Sequence, residues 1–203
     1  FPDALVRRAL AKEEIKEWQG AVDDYSRAID AWRPPPGTPD KPLRGNAKIE
    51  QGDGLGENPL VLNFRGNALS QLGRFDDAVI DYMEATQIFQ NDGEFREASL
   101  SRANEALALY GAGRRGEAVR TMQSVVRKDP GLTDMHVALA AVYWEDGKID
   151  LAETEWAFAC EKITSGCAAY KDLEWVTEIR RWPLSLAKNL QSFLGKTARG
   201  SLS

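Results

Sequence analysis

The sequence predicts an all-α fold in which consecutive helices form antiparallel pairs. Three observations lead to this prediction: a segment that recurs at a fixed period, a glycine near the middle of each copy, and a regular alternation of small and large apolar residues. A fixed period of about 20 to 50 residues is typical of proteins in which one small unit is stacked on the next. We therefore expect each unit to bury its apolar face against its neighbours.

Three copies of the repeat are clear, and Ala118 and Ala152 mark the period because they occupy the same place in consecutive copies. Each copy has a glycine where a first helix should end, and glycine supplies the positive φ that such a turn requires. The large residues Tyr82, Met122 and Trp156 should fill the space beside the alanines that precede them, as core residues. The copies comprise Leu62, Arg65, Gly66, Leu69, Gly73, Phe75, Ala78, Tyr82 and Ala85; Ala106, Leu109, Gly113, Ala118, Met122, Val125 and Pro130; and Leu139, Ala140, Tyr143, Gly147, Ala152, Trp156 and Ala159.

A fourth copy is predicted at the front of the chain. Ala21, Tyr25 and Ala28 match the second helix of a repeat, and a helical stretch from Asp3 to about Glu17 comes before them. The turn between the two helices departs from the pattern, because residues 17–20 read Glu-Trp-Gln-Gly and lack the usual glycine spacing.

This pattern of small and large residues resembles the tetratricopeptide repeat family. The resemblance implies a right-handed α-solenoid of antiparallel helix pairs with C-terminal capping helices, since the open end of a solenoid must be covered. Pro183 suits the first turn of the last of these helices. We expect a single domain over residues 1–203, with a first repeat at about 2–33, a loop at 33–58, three repeats at about 59–164 and capping helices at about 168–197.

Two departures from even spacing distinguish this chain. The interval from Ala78 to Ala118 is longer than the interval from Ala118 to Ala152, so the first helix of the third repeat, near Phe95, should be lengthened. The interval from Ala21 to Ala78 is longer still, and the surplus is the stretch of prolines and glycines at 33–58. That composition breaks helices and predicts a long surface loop, which is either disordered or a lid over a binding groove.

Composition argues against several classes of site. Lys and Arg number 26 against 31 Asp and Glu, and the net charge of −5 disfavours binding to nucleic-acid phosphates. No run of about 18 to 20 apolar residues is present, so we expect no membrane span in this chain. It opens at Phe1, which leaves room for an upstream targeting or anchoring segment. With one histidine, neither a zinc site nor any other cofactor is expected.

The two cysteines, Cys160 and Cys167, leave two alternatives open. They can pair if the helix that holds Cys160 ends near Thr164 and the turn at Ser165 and Gly166 folds back. Otherwise they are free thiols, and we favour the free thiols.

The end of the chain carries a second resemblance. Cys167, Tyr170, Asp172, Leu173 and Trp175, followed by Arg-Arg-Trp-Pro at 180–183 and a helix with leucines and Phe193, are similar to the tails of tetratricopeptide proteins from chloroplasts and cyanobacteria. The resemblance covers roughly the last fifth of the chain. It implies a photosynthetic organism and a chloroplast or thylakoid location, where such proteins assist or regulate the assembly of pigment–protein complexes. The alternative location is the cytoplasm.

The family resemblance also implies where a partner protein or peptide would bind. The first helices of successive repeats line a concave groove, and one full period separates Tyr110 from Trp144, so they should stand side by side. Rings offer large apolar contact area, and amides can pair with a peptide backbone. The alternative is that the loop or neighbouring helices partly bury both rings. The predicted groove residues are Asn63, Asn67, Ser70, Asn104, Leu107, Tyr110, Val137, Ala141 and Trp144.

One subfamily uses this groove to clamp the terminal carboxylate of chaperones with two asparagines and three basic residues. Asn67 and Asn104 match its amide positions, but Asn63, Asp134 and Ala138 stand where it has Lys, Lys and Arg. The cations that would neutralise a carboxylate are absent, so chaperone-tail binding is not expected.

We therefore predict a non-catalytic protein-interaction scaffold. The alternatives are a helical repeat that reads RNA, which the acidic balance disfavours, and an enzyme. For an enzyme, His136 begins a helix and should make a structural or surface contact, and no nucleophile, phosphate loop or metal spacing is present. The adjacent carboxylates at 13–14 and 23–24 point in different directions and are predicted to be solvated.

Overall fold

The computed structural model describes residues 2–32 and 58–200, with side chains as far as Lys196. Within these ranges every regular element is a helix. The chain separates into two compact units, unit 1 over residues 1–101 and unit 2 over residues 102–203. The change from one unit to the other falls inside a helix. The predicted loop at 33–58 lies outside the described residues except for Asn58, and the single-domain organisation stays a prediction.

Unit 1 contains two complete helix pairs and the beginning of a third. α1 packs on α2, α2 on α3, and α3 on α4. α3 begins at Pro59 because the Asn58 side chain accepts a hydrogen bond from Leu60 N at 3.0 Å, and proline has no N–H to leave unsatisfied there. The helices are α1 (Pro2–Glu14), α2 (Trp18–Trp32), α3 (Pro59–Gln71), α4 (Phe75–Asn91) and the first part of α5 (Phe95–Gly111).

Unit 2 continues the pattern and ends in elements that do not repeat. α6 packs on α7, α7 pairs with α8, and α9 packs on α7. Nearly every residue of α7 is buried, because it has helices on several sides. The elements after α5 are α6 (Arg115–Lys128), α7 (Thr133–Glu145), α8 (Ile149–Glu161), a 3-10 helix (Ala168–Lys171), a π-helix (Trp175–Ile179) and α9 (Leu184–Gly200).

The turns between paired helices share one geometry. After α3, Gly73 has φ 73°, its N–H bonds to Ser70 O at 3.1 Å, and Arg74 N–H bonds to Leu69 O at 2.9 Å. This Schellman arrangement satisfies carbonyls that the end of a helix leaves open. The same two bonds and a positive φ recur at Gly113 and Gly147, and also at Gly93, which lies between the second and third pairs.

The turn of the first pair has a lysine in this role. Lys16 has φ 59°, its N–H bonds to Glu13 O at 2.9 Å, and Glu17 N–H bonds to Lys12 O at 2.8 Å. The turn that the sequence placed at 17–20 therefore lies earlier, because α2 begins at Trp18 and includes Gly20. The same turn geometry is therefore formed by glycine in the other pairs and by lysine in the first pair. The first helix, which the sequence predicted to reach about Glu17, ends at Glu14.

Small residues allow close contacts between paired helices, as the sequence predicts. A Cβ on Gly66 would lie 2.8 Å from the Tyr82 ring, so only glycine leaves room for that ring. Tyr82 and Met122 are buried in the core, and this prediction is confirmed for both. Trp156 is only half-buried and packs edge-on against Phe193, with ring centroids 5.6 Å apart.

The predicted all-α fold of consecutive helix pairs is confirmed for the described residues. The lengthened helix near Phe95 is also present: α5 has 17 residues, and so does α4 before it, whereas α3 and α7 have 13. The surplus is thus divided between the helices on both sides of Gly93. The predicted last helix is present as α9, but it begins at Leu184, so Pro183 comes directly before its first turn.

Two predictions about side chains are wrong. Cys160 and Cys167 are joined by a disulfide, because the turn at Gly166 brings Cys167 back to the end of α8. The two carboxylate pairs are not solvated throughout, because adjacent residues on a helix point in different directions and only one of each pair faces solvent. Glu14 and Asp23 are exposed, whereas Glu13 accepts a hydrogen bond from Tyr25 and Asp24 is 2% exposed.

Candidate protein-binding faces

The predicted groove residues fall into two sets, one in each unit. Unit 1 holds Asn63, Asn67 and Ser70, all half-buried on α3. Unit 2 holds the other six, Asn104, Leu107 and Tyr110 on α5 and Val137, Ala141 and Trp144 on α7.

On α3, neighbouring helices orient both asparagines. Tyr82 on α4 donates its hydroxyl to Asn67 Oδ1 at 2.8 Å, and Asn63 Nδ2 donates to Ser101 Oγ at 2.7 Å. Asn67 Nδ2 has no hydrogen-bond partner in the part of the chain that the structure describes. Because its oxygen is already engaged, Asn67 presents its two N–H donors in a fixed direction.

Arg65, which is also on α3, forms an ion pair with the buried Asp81 on α4. Arg65 donates to both carboxylate oxygens of Asp81, at 2.8 and 2.6 Å, and to Ser26 Oγ at 3.1 Å. Burial raises the pKa of Asp81 in spite of the guanidinium beside it. The pair connects α3 to α4 and α2, so it holds the helix on which the asparagines stand.

In unit 2 both members of the predicted aromatic pair contact α9, which leaves Tyr110 buried and Trp144 half-buried. Tyr110 is buried, donates its hydroxyl to Glu145 Oε2 at 2.7 Å and accepts from Asn189 Nδ2 at 2.8 Å. Burial, with a smaller effect of Glu145, raises the pKa of Tyr110 to about 12. Leu107, Val137 and Ala141 are also buried, whereas Asn104 is half-buried.

Trp144 also contacts α9, one turn further along that helix. Its Nε1 donates to Ser192 Oγ at 3.1 Å, its ring meets Phe193 edge-on at 5.7 Å, and Lys196 Nζ lies 4.9 Å from its centroid. The two rings therefore share α9 as a neighbour, which agrees with the alternative in which neighbouring helices partly bury them. A role in binding a partner stays a prediction for both.

The segment after α8 is held to α7 by a cluster of side chains around Asp134, which the sequence did not predict. The buried Asp134 Oδ1 accepts from Tyr170 Oη at 2.8 Å, from Arg180 Nε at 3.1 Å and from Trp182 Nε1 at 3.1 Å. Arg180 also pairs with Asp134 Oδ2. The carboxylate raises the pKa of Arg180, and burial raises that of Tyr170. Tyr170, Arg180 and Trp182 belong to the sequence motif at the end of the chain, but nothing in their spacing indicates Asp134 as their partner.

His136 is structural, as expected. It is buried, Nδ1 lies 2.6 Å from Glu155 Oε2 and Nε2 lies 3.1 Å from Pro130 O. Its ring stacks on Phe158 with centroids 4.5 Å apart. The imidazole therefore joins α7 to α8, and both nitrogens are engaged.

The structure offers no feature of a metal or membrane site in the regions it describes. No group of three or more His, Cys, Asp or Glu there is arranged to hold a metal ion. None of the helices at 2–32 or 58–200 has the length and apolar content needed to cross a bilayer.

Comparison with known proteins agrees with the helix pairs. Models of the tetratricopeptide repeat match residues 3–32 and 104–159. A similar protein is the inactive TPR repeat-containing thioredoxin TTL3 of Arabidopsis thaliana, which is 33% identical over 152 residues. The match covers 68% of this chain and 21% of that relative. The chain thus corresponds to about a fifth of the relative's length.

Proposed function

Because the chain belongs to the tetratricopeptide repeat family, we propose that it is a non-catalytic scaffold that binds a protein partner through the α3 face of unit 1. Tetratricopeptide repeats are in general non-catalytic protein-interaction modules. The α3 face means the exposed sides of Asn63, Asn67 and Ser70.

The observation that supports this face is the orientation of Asn67. Tyr82 holds Oδ1, so Nδ2 is left as a directed donor at a half-exposed position. A donor that is fixed before binding loses little side-chain entropy when it meets a peptide carbonyl. We propose that an extended peptide or a loop of the partner accepts this hydrogen bond.

Asn67→Ala provides the test. It should weaken capture of a partner by about tenfold, since a buried interface hydrogen bond contributes about 1 to 1.5 kcal/mol. Partners would first be captured by cross-linking and co-purification with the wild-type chain from its native source, and the dissociation constants of both chains would then be measured with the purified partner.

Asn91→Ala is the matched control, because Asn91 is an exposed amide at the end of α4 in the same unit. It should leave the dissociation constant unchanged. Equal affinity of the Asn67→Ala variant and the wild type would remove the α3 face from the proposal.

For Tyr110 and Trp144 we propose a binding role only in a state from which α9 has moved away. In the structure Asn189, Ser192 and Phe193 occupy their hydrogen-bonding and ring surfaces. A partner helix would have to replace these contacts, as in the helix-in-groove mode of recognition.

We also propose a chloroplast setting, with a protein of a thylakoid complex as partner and a role in assembly or regulation. The support is the resemblance of residues 167–194 to chloroplast and cyanobacterial proteins, and the named relative is from a plant. A fluorescent fusion of the full-length protein should accumulate in chloroplasts of the source organism. Fluorescence that stays in the cytosol would contradict this proposal.

A further inference from the structure

The disulfide between Cys160 and Cys167 joins the end of α8 to the start of the tail, here defined as residues 162–196. We propose that it is a reversible redox modification site: a dithiol reductant opens it, and opening loosens the tail from α7. All groups that take part lie in unit 2.

The two sulfurs differ in access. Cys160 is half-buried near the end of α8, whereas Cys167 is 6% exposed. Thiol–disulfide exchange needs an approach to one sulfur. A thiolate of the reductant therefore attacks Cys160 Sγ, the Sγ–Sγ bond breaks, and Cys167 leaves as a thiolate that takes up a proton.

The second thiol of the reductant completes the exchange. It attacks the sulfur that the reductant has bound to Cys160, and Cys160 leaves as a thiolate that is protonated in turn. The reductant ends as a disulfide, so two electrons and two protons pass from the dithiol to the protein.

Cys167 is connected directly to the cluster at Asp134. Its carbonyl accepts the Tyr170 N–H at 3.0 Å, and the Tyr170 hydroxyl reaches Asp134 at 2.8 Å. A second link lies between the cysteines, where Ser165 Oγ and Thr133 Oγ1 are 2.8 Å apart. The disulfide thus fixes the segment that places the Tyr170 hydroxyl beside Asp134 at the start of α7.

The same cluster also positions α9 against α7. Arg180 and Trp182 bond to Asp134, and Arg181 between them has φ 57°, a conformation that a non-glycine residue keeps only when its surroundings hold it. α9 follows at Leu184 and reaches Trp144 through Ser192. When Tyr170 leaves the cluster, the contacts that hold Arg181 in this conformation become weaker. The packing of α9 on α7 is then weakened as well.

The size of the effect follows from the short loop that the disulfide closes. A disulfide that closes a loop of about eight residues lowers the number of conformations open to the unfolded segment by roughly a factor of 10 to 100. Since hydrogen exchange of a locally opening segment follows its opening equilibrium, exchange in the tail should rise by about that factor on reduction. Trp144 and Tyr110 would be uncovered more often. Any consequence for partner capture rests on the proposed function, whereas release of the tail does not.

Hydrogen–deuterium exchange of the full chain tests this inference, with and without dithiothreitol. Amides of residues 184–196 should exchange at least about tenfold faster in the reduced protein. Residues 2–32 in unit 1 should not change. No partner protein is present, so failure of the α3-face proposal would leave the result unaffected.

A variant with Cys160→Ser and Cys167→Ser separates the disulfide from other effects of the reductant. Its tail should exchange at the fast rate in both conditions. Equal exchange of residues 184–196 in oxidised and reduced wild type would overturn the inference, and so would an equal acceleration by dithiothreitol in the serine variant. If the serine variant does not fold, the wild-type comparison decides.

Glutathione, a monothiol, identifies the sulfur that is attacked. After brief exposure and acid quenching, peptide mapping should find glutathione on Cys160. Glutathione on Cys167 would overturn the assignment of Cys160 as the attacked sulfur.

Discussion

Asp24 is a carboxylate that is almost fully buried in unit 1. Arg8 donates two hydrogen bonds to it, at 2.6 and 2.5 Å, and Lys12 Nζ lies 2.9 Å away. The hydrogen bonds from Arg8 outweigh the effect of burial, Lys12 acts in the same direction, and the pKa of Asp24 falls to about 2. The charge therefore connects α2 to two turns of α1.

We expect Asp24→Asn to destabilise the protein in a way that depends on pH. A folded-state pKa of about 2 lies below the ordinary value, so the contribution of Asp24 is fully present above about pH 4 and is lost as the pH falls toward about 2. The difference in free energy of unfolding between wild type and variant should narrow over that range. Denaturant titrations at a series of pH values measure it.

The exposed neighbour gives the control for this prediction. Asp23→Asn removes one charge from the same helix, but Asp23 is on its solvent side. Its effect on stability should be small. A difference between wild type and Asp24→Asn that stays constant from neutral to acidic pH would contradict the assigned role of Asp24.

At the scale of the helix pair, the turn keeps its geometry while its residue changes. Gly73, Gly93, Gly113 and Gly147 adopt positive φ without a Cβ, whereas Lys16 adopts it with one. A left-handed conformation costs a non-glycine residue about 1 to 2 kcal/mol. The first pair therefore carries local strain that the other pairs lack.

Lys16→Gly should relieve that strain. We expect the free energy of unfolding to rise by about 0.5 to 1 kcal/mol, since glycine recovers the steric cost but gains freedom in the unfolded chain. Thermal or denaturant unfolding would measure the change.

Glu14→Gly is the opposite case, because Glu14 is an exposed residue in the last turn of α1. It should lower stability by about 0.5 to 1 kcal/mol. A Lys16→Gly variant that is also destabilised would show that the side chain of Lys16 contributes more than its backbone conformation costs.

At the scale of the whole molecule, contacts between distant parts of the chain define unit 2. Asp134 binds both Tyr170 and Trp182, which come after the last repeat and far along the chain from α7. α9 then contacts α5 through Asn189 and α7 through Ser192. One buried carboxylate thus organises the non-repeating end of the chain around the last repeat.

Asp134→Asn should weaken the contacts that hold the non-repeating end of the chain to α7. The variant leaves the Arg180 charge in a largely buried place without its counter-charge, and breaking a buried pair from one side costs about 3 to 5 kcal/mol. We expect a loss of that order in the free energy of unfolding, together with faster hydrogen exchange in residues 168–196.

Asp150→Asn is the matched substitution, because Asp150 is exposed in the first turn of α8. It should change stability by at most about 0.5 kcal/mol. If Asp134→Asn were as stable as Asp150→Asn, the cluster would not be what holds the tail.

The sequence by itself determined the helix pairs, their glycine turns and the small residues between them. These features depend on local spacing: a glycine at a fixed place ends a helix, and a recurring alanine marks a close approach. The lengthened α5 followed from counting residues in the same way. The Lys16 turn did not, because a lysine carries no signal for positive φ.

The tertiary structure alone decided which faces are covered and which groups meet. Burial of Asp24 but not Asp23, the disulfide, the cluster at Asp134 and the position of α9 on Trp144 all depend on contacts between elements. The period places Tyr110 and Trp144 at equivalent points of adjacent repeats, but it carries no information about a helix outside the repeat. Spacing along a chain sets the direction of each side chain on its helix, and only packing between helices determines what that side chain touches.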